Sequence, residues 1–375
     1  MSPRKQLHRF NEDCSTVRGF APCLPAGRHM HFKQSRKSMR LRLFSLFVVA
    51  CTFLLLIAGG MVTSTGSGLA VPDWPLSYGQ LMPPMVGGIF YEHGHRMIAS
   101  FVGFLTVILT VWIWRTEQRK WVRGLGVAAL AAVIFQGALG GLTVLFLLPT
   151  AVSASHATLA QTFFCIVIAL AFVNSRWWHE RDKEPRISMS WYGFVVPFSA
   201  VFVQLILGAL MRHSQAGLSV PDFPLAYGGL FPDLSDASLK AYTEELVRRD
   251  YHLWADGQIT AWQIVIHLAH RYWALVVTTV LVWYSVRFFR MKVHRARFRT
   301  LGWSIVLLLI VQVTLGIATV LLGRPAILAT MHQSAGAALL GLTFLSGLHF
   351  VRLKAPNEAP PAVEPASFHP EGLRA

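Results

Sequence analysis

Residues 68–83 read GLAVPDWPLSYGQLMP, and residues 217–232 read GLSVPDFPLAYGGLFP. The two stretches, 149 positions apart, keep Gly, Leu, Val, Pro, Asp, Pro, Leu, Tyr, Gly, Leu and Pro in register. Downstream the repeat continues at a longer offset. His95-Arg96 returns as His270-Arg271, Gln136 and Gly140 as Gln312 and Gly316, and His156 as His332. A duplicated module therefore carries two histidines per copy, and the change of offset marks an insertion at 233–258 in the second copy.

Composition places the duplication in a membrane. The chain is 54% hydrophobic and 14% charged, against roughly 25% charged for a soluble domain. Apolar stretches near the ~20 residues that cross hydrocarbon fall at 43–61, 92–114, 124–147, 152–174, 191–211, 263–285, 301–322 and 329–351. The expected fold is an all-α integral membrane protein, with eight transmembrane helices as two tandem pseudo-symmetric four-helix bundles. Residues 1–42 form a basic N-terminal extension, with disorder as an expectation and Met30 and Met39 as alternative starts. Residues 43–175 are the first half, 176–190 a linker, 191–351 the second half, and 352–375 a Pro- and Ala-rich tail expected to be disordered. The acidic and basic residues of the insertion suit a short solvated helix.

A net charge of +16 invites a nucleic-acid reading, but its distribution argues for topology. Of 34 Lys and Arg, 27 precede the first span, follow the last, or lie between spans two and three, four and five, or six and seven. By the positive-inside rule those segments and both termini are cytoplasmic, as in a bacterial inner membrane, and the repeated loops face outward. The basic excess then meets anionic lipid, not nucleic acid. Cys14 and Cys23 lie in the extension and Cys51 and Cys165 in spans, so no structural disulfide is expected. No C-x-x-C-H occurs, which leaves histidine or methionine to hold any haem.

On this topology His95, His156, His270 and His332 each stand one or two turns inside an even-numbered span, at one depth. Ionisable residues inside a membrane are expensive and mark function. Two helices presenting one imidazole each at equal depth suit a haem ligated on both axial sides. Hydrogen-bonded packing histidines and a copper site are the competing readings, while zinc wants more ligands than two per half. Three residues before His95 stands Glu92; three before His270 stands His267. Positions i and i+3 share a helix face, so Glu92 is placed for proton exchange or for stabilising a developing positive charge. A carboxylate at the helix start pairing with its positive end is the plainer alternative. His267 reads either as a hydrogen-bond donor or propionate contact, or as an ordinary interfacial histidine. His93 points to another face. Arg96 and Arg271 suit haem propionates or, equally, lipid and interhelix pairing. Arg212 is matched by Thr63 and cannot serve both halves alike. Asp73, Trp74, Asp222 and Phe223 either cap the pockets or build turns. Gln136, Gln312, Gly140 and Gly316 are assigned to helix packing.

The tandem halves, the G-[SA]-G-L-x-V-P-D-[WF]-P loops, EHGHR at 92–96 and the single histidines on even-numbered helices resemble the haem A synthase family, Cox15/CtaA, over about residues 43–350. The resemblance implies oxidation of a methyl group of haem O to the formyl group of haem A, for cytochrome oxidase. It implies that His95 and His156 bracket the substrate haem, that His270 and His332 ligate a haem b cofactor, and that Glu92 is the catalytic carboxylate. It further implies haem O synthase and cytochrome oxidase assembly factors as partners, an electron acceptor such as a quinone or redox protein, and a homo-oligomer. The cysteine pair that some members carry in the first outer loop is absent, with Val71 and Ser77 at comparable positions. From the residues alone, a di-haem b electron-transfer cytochrome and a non-enzymatic haem carrier or assembly protein stay open as alternatives.

Overall fold

A computed structural model describes residues 26–175, 177–178, 192–251 and 257–353, with side chains from residue 39 onward. Most of the basic extension, most of the linker, the tail beyond 353 and residues 252–256 of the insertion lie outside the described residues. Apart from two isolated bridges and short turns, the described secondary structure is helical. The helices are α1 (Ala26–Ser64), α2 (Gly87–Thr116), α3 (Lys120–Leu145), α4 (Thr150–Val173), α5 (Tyr192–His213), α6 (Asp236–Arg248), α7 (Ala261–Arg290), α8 (Arg295–Leu321) and α9 (Ala326–Leu353).

Eight described helices are long and apolar enough to cross a membrane: Met39–Ser64 of α1, then α2 to α5 and α7 to α9. The protein is an integral multi-pass membrane protein. Each helix that crosses keeps its backbone hydrogen bonds internal, as a bilayer demands. Several run a few residues past the apolar stretches seen in the sequence, because basic and polar residues at their ends remain helical beyond the hydrocarbon. Arg287 and Arg290 in the last turn of α7 are such a case.

Packing follows the duplication. Around the first half, α1 contacts α2, α2 contacts α3, α3 contacts α4, and α4 returns to α1. In the second half the cycle runs α5, α7, α8, α9 and back to α5. The halves meet where α1 and α4 touch α9 and where α4 touches α5. Consequently α4 and α9, the helices of His156 and His332, are the most buried spans, at 61% each, against 11% for α8. Small residues permit the central contact: a Cβ on Gly341 of α9 would lie 2.9 Å from Ile168 of α4. Two apolar clusters fill the halves, around Leu109, Val167 and Leu170 in the first and around Tyr284, Phe288 and Phe298 in the second.

The repeated loops build the same small fold twice. Ser77 and Gln80 exchange backbone hydrogen bonds at 3.0 Å, as do Ala226 and Gly229 at 2.7 and 3.1 Å. Between them Tyr78 and Gly79, and Tyr227 and Gly228, all have positive φ. Two consecutive positive φ values define the tight hairpin turn that accepts Gly at its second position. The tyrosine hydroxyls tie the turns back, Tyr78 to the Ala70 carbonyl at 2.7 Å and Tyr227 to Ser219 at 2.8 Å. The insertion contributes the expected helix, α6, with Ser235 as its N-cap accepting from the Ser238 amide. Leu246 of α6 is buried against Val220, Ala226 and Ile264.

Candidate functional site

The four histidines stand about two turns inside α2, α4, α7 and α9, at the end of the bundle that carries the repeated loops. Each ring rests on a glycine of the helix that precedes it in its own half. A Cβ added to Gly59 of α1 would lie 3.1 Å from His95 Cε1, and one on Gly140 of α3 would lie 3.2 Å from His156 Cε1. In the second half Gly208 of α5 seats His270 at 3.1 Å and Gly316 of α8 seats His332 at 2.8 Å. These glycines are cradles for imidazoles, and any side chain there displaces a ring. Four residues before three of them stands glutamine: Gln136, Gln204 and Gln312. At the fourth, before Gly59, stands Leu55. The Gln136 amide donates to the His156 carbonyl at 2.9 Å, and Gln204 to that of His270 at 3.1 Å. His332 is held by its Nδ1 donating to the Gln312 carbonyl at 3.1 Å.

The histidines pair within each half. The ring centroids of His270 and His332 are 6.4 Å apart with planes at 79°. An ion bonded to each imidazole nitrogen at ~2.0–2.1 Å fits between rings so spaced. His95 and His156 occupy the corresponding positions of the first half, on α2 and α4. Unmet hydrogen-bonding capacity gathers here: His95 Nδ1, His156 Nδ1 and the Oε1 atoms of Gln136, Gln204 and Gln312 are buried without partners. Buried polar atoms are seldom left unpaired, so the orphans mark space that a further group completes. Among the described residues no three His, Cys, Asp or Glu side chains converge to hold a metal. The donor set is two pairs of imidazoles in apolar walls, which fits a planar macrocycle needing two axial ligands.

The segment around Glu92 distinguishes the halves. Glu92 is buried; its Oε2 accepts the Val71 amide at 2.8 Å and its Oε1 pairs with Arg96 at 2.7 Å. Arg96 also donates to the carbonyls of Val71, Asp73 and Leu76. In the second half Arg271 donates to His267 Nε2 at 3.0 Å and to the carbonyls of Val220 and Leu225, while His267 Nδ1 donates to Ala216 at 2.9 Å. Beside the propionate, lipid and interhelix readings of the two arginines, the structure adds another contact: both guanidinium groups clamp the repeated loop. His93 faces the same loop, with Nδ1 2.7 Å from Ser77 Oγ.

Asp73 and Asp222 serve turn construction, Asp73 accepting the amides of Tyr78 at 2.7 Å and Gly79 at 2.9 Å. Those two amides hold its pKa below the usual carboxylate value. Trp74 packs on α3: a Cβ on Gly141, beside the glycine under His156, would lie 2.8 Å from its indole. Gly59, Gln204 and Gly208 were missed from sequence. The signal that finds them is glutamine or leucine four residues before glycine, repeated in the helix ahead of every histidine helix.

Residues 42–344 match the family model COX15-CtaA, described as cytochrome oxidase assembly protein. The chain belongs to this family. Among similar proteins, the Heme A synthase of Halalkalibacterium halodurans is 27% identical, over 85% of this chain and 98% of its own length. That of Brucella anthropi is 28% identical, over 80% of this chain and 88% of its own. That of Alkalihalophilus pseudofirmus reaches 31% identity over 52% of this chain and 67% of its own. The two longer matches span both halves of the chain.

Proposed function

We propose that this protein is a haem A synthase whose first half oxidises the haem O methyl group to formyl, while its second half holds a resident haem b. The observation that carries this division is one slot filled differently: Glu92 in the first half and His267 in the second, four residues before matching arginines in matching loop clamps. Both halves offer two glycine-seated imidazoles, so both suit a haem. Only the first adds a buried carboxylate.

His95 and His156 bind and orient the substrate haem, and the glycines beneath them fix where each ring stands. Glu92, fixed by Val71 and Arg96, offers negative charge or a proton acceptor to the carbon under oxidation. Preorganised charge of this kind acts without reorganising during the reaction. The loop clamped by Arg96 covers the pocket, and Trp74 closes its side at Gly141. When bound, the haem b of the second half supplies a one-electron carrier. His270 and His332 would hold it beside the interface between halves; turning the methyl into a formyl group with water as the oxygen source releases four electrons and four protons, and an electron acceptor such as a quinone or redox protein would take those electrons onward. The loops face outward and both termini inward, consistent with the basic residues at the opposite end of the bundle. In an electron-transfer cytochrome Glu92 would only pin the loop through Val71 and Arg96, a task that His267 performs in the second half without a carboxylate.

The test is chromatography and mass spectrometry of haems extracted from membranes that contain the protein and are supplied with haem O. Haem A, or a hydroxylated precursor, is expected. Unchanged haem O beside folded, haem-loaded protein would reject the enzyme reading in favour of a carrier or electron-transfer cytochrome.

A further inference from the structure

Two arginines of the second half have no counterpart in the first. Arg212 stands where the first half has Thr63, and Arg324 where it has Leu148; Leu148 and Arg324 share a positive φ before the proline that opens the next helix. On α5, Gln204, Gly208 and Arg212 are spaced by four and share a helix face. Gln204 and Gly208 touch His270, so Arg212 stands one turn beyond that ring, toward the loop end. Arg324, in the turn that opens α9, approaches the same end from the His332 side, with its Cδ 3.7 Å from a Cβ placed on Gly217.

Neither guanidinium is satisfied. Arg212 donates through Nη2 to the Thr63 carbonyl, but its Nη1 is buried without a partner. Arg324 makes no side-chain hydrogen bond or ion pair among the described residues, and its Cδ stands beside Gly217, five residues beyond Arg212. Burial lowers the Arg324 pKa from its usual value with no carboxylate opposing it. His213, the other titratable group facing Arg212, offers no negative charge. Arg212 has a buried N–H with no partner and Arg324 has no side-chain partner among the described residues, so the loop end of this half offers guanidinium donors that an anion would meet.

We propose that Arg212 and Arg324 form a carboxylate-binding site at the loop end of the second half, and that it holds the propionates of the macrocycle seated between His270 and His332. This rests on the haem reading above and deepens it: the second half anchors its haem by iron and by carboxylate. The first half, with Thr63 and Leu148 at those places, lacks this anchor. A resident cofactor is thereby retained while a substrate haem of the same shape is free to leave. Guanidinium suits the role because its planar fork matches a carboxylate.

The test loads full-length apoprotein in detergent with haem b or with its dimethyl ester, whose propionates carry no charge, and follows release to apomyoglobin. Wild type should hold the free acid roughly tenfold or more longer than the ester, the scale of a charge-assisted hydrogen bond. In Arg212→Gln/Arg324→Gln that ratio should fall to near one, and Arg212→Lys/Arg324→Lys should restore most of it. An ester held as long as the free acid by wild type would overturn the proposal, and that comparison needs no variant to fold. Loss confined to the His95–His156 haem would overturn it as well. His270→Ala separates the two levels. If that variant keeps the resident haem, the haem reading and this inference fall together; if it loses the haem while the ester ratio is insensitive to both arginines, this inference falls alone.

Discussion

The first and second halves seat their histidines alike and differ in what surrounds them. Each ring leans on a glycine of the preceding helix, and each repeated loop is clamped by an arginine one residue after a histidine. Against that shared frame the first half carries Glu92 and the second His267, Arg212 and Arg324. A duplicated scaffold can thus keep the glycine seats of its histidines and the clamps of its loops in both copies while a few neighbouring positions diverge, and it is on those positions that the proposed division between chemistry and retention rests.

The largest expected break in the comparison comes from the slot itself. Glu92→Gln should cut haem A formation by about 10²-fold or more, the usual scale of acid–base or charge stabilisation, while His267→Gln should leave most of it. Equal losses in quantitative haem extraction would remove the distinction between the halves. Next come the clamps. Arg96→Ala strands a buried carboxylate, which costs roughly 3–5 kcal/mol; Arg271→Ala strands a neutral imidazole and should cost about 1–3 kcal/mol. Thermal unfolding in detergent should rank Arg96→Ala below Arg271→Ala, and the reverse order would contradict the description of the Glu92 pair.

Glycine cradles come third. Gly316→Ala forces a Cβ to 2.8 Å from His332 and should cost about 1–3 kcal/mol as overpacking, with a shifted haem spectrum. Gly103→Ala, where a Cβ meets nothing within 4 Å, should be neutral or gain up to ~1 kcal/mol in the helix. The smallest effect concerns the turns in acid. Asp73 has its folded pKa lowered by the Gly79 and Tyr78 amides. Its support is therefore full above the ordinary carboxylate pKa and fades as pH falls through the lower folded value. Protection factors at 68–83, with exchange corrected for its intrinsic pH dependence, should fall across that acid window in wild type and stay level in Asp73→Asn.

Much of this was legible in the sequence. Hydropathy and the duplication located every span, because a bilayer leaves helices few alternatives. The repeated histidines were visible because an ionisable side chain inside an apolar run is conspicuous. The roles of Arg96 and Arg271 were not, since a residue's number along a helix tells its face but not that a loop 20 residues away folds back over it. Glycine was read as a helix-packing residue at 140 and 316, and only coordinates show that the object packed there is an imidazole. Arg212 was seen to be unmatched, yet its partner Arg324 lies 112 residues later in the chain, and no local pattern connects them.

On the proposed reading the two halves hold non-equivalent haems, one resident and one passing through. It is tested most directly by haem content and optical spectrum of purified His270→Ala and His95→Ala beside wild type. His270→Ala should lose the tightly held haem b, and His95→Ala should keep it. Equal loss in the two variants, with both shown to be folded, would contradict it.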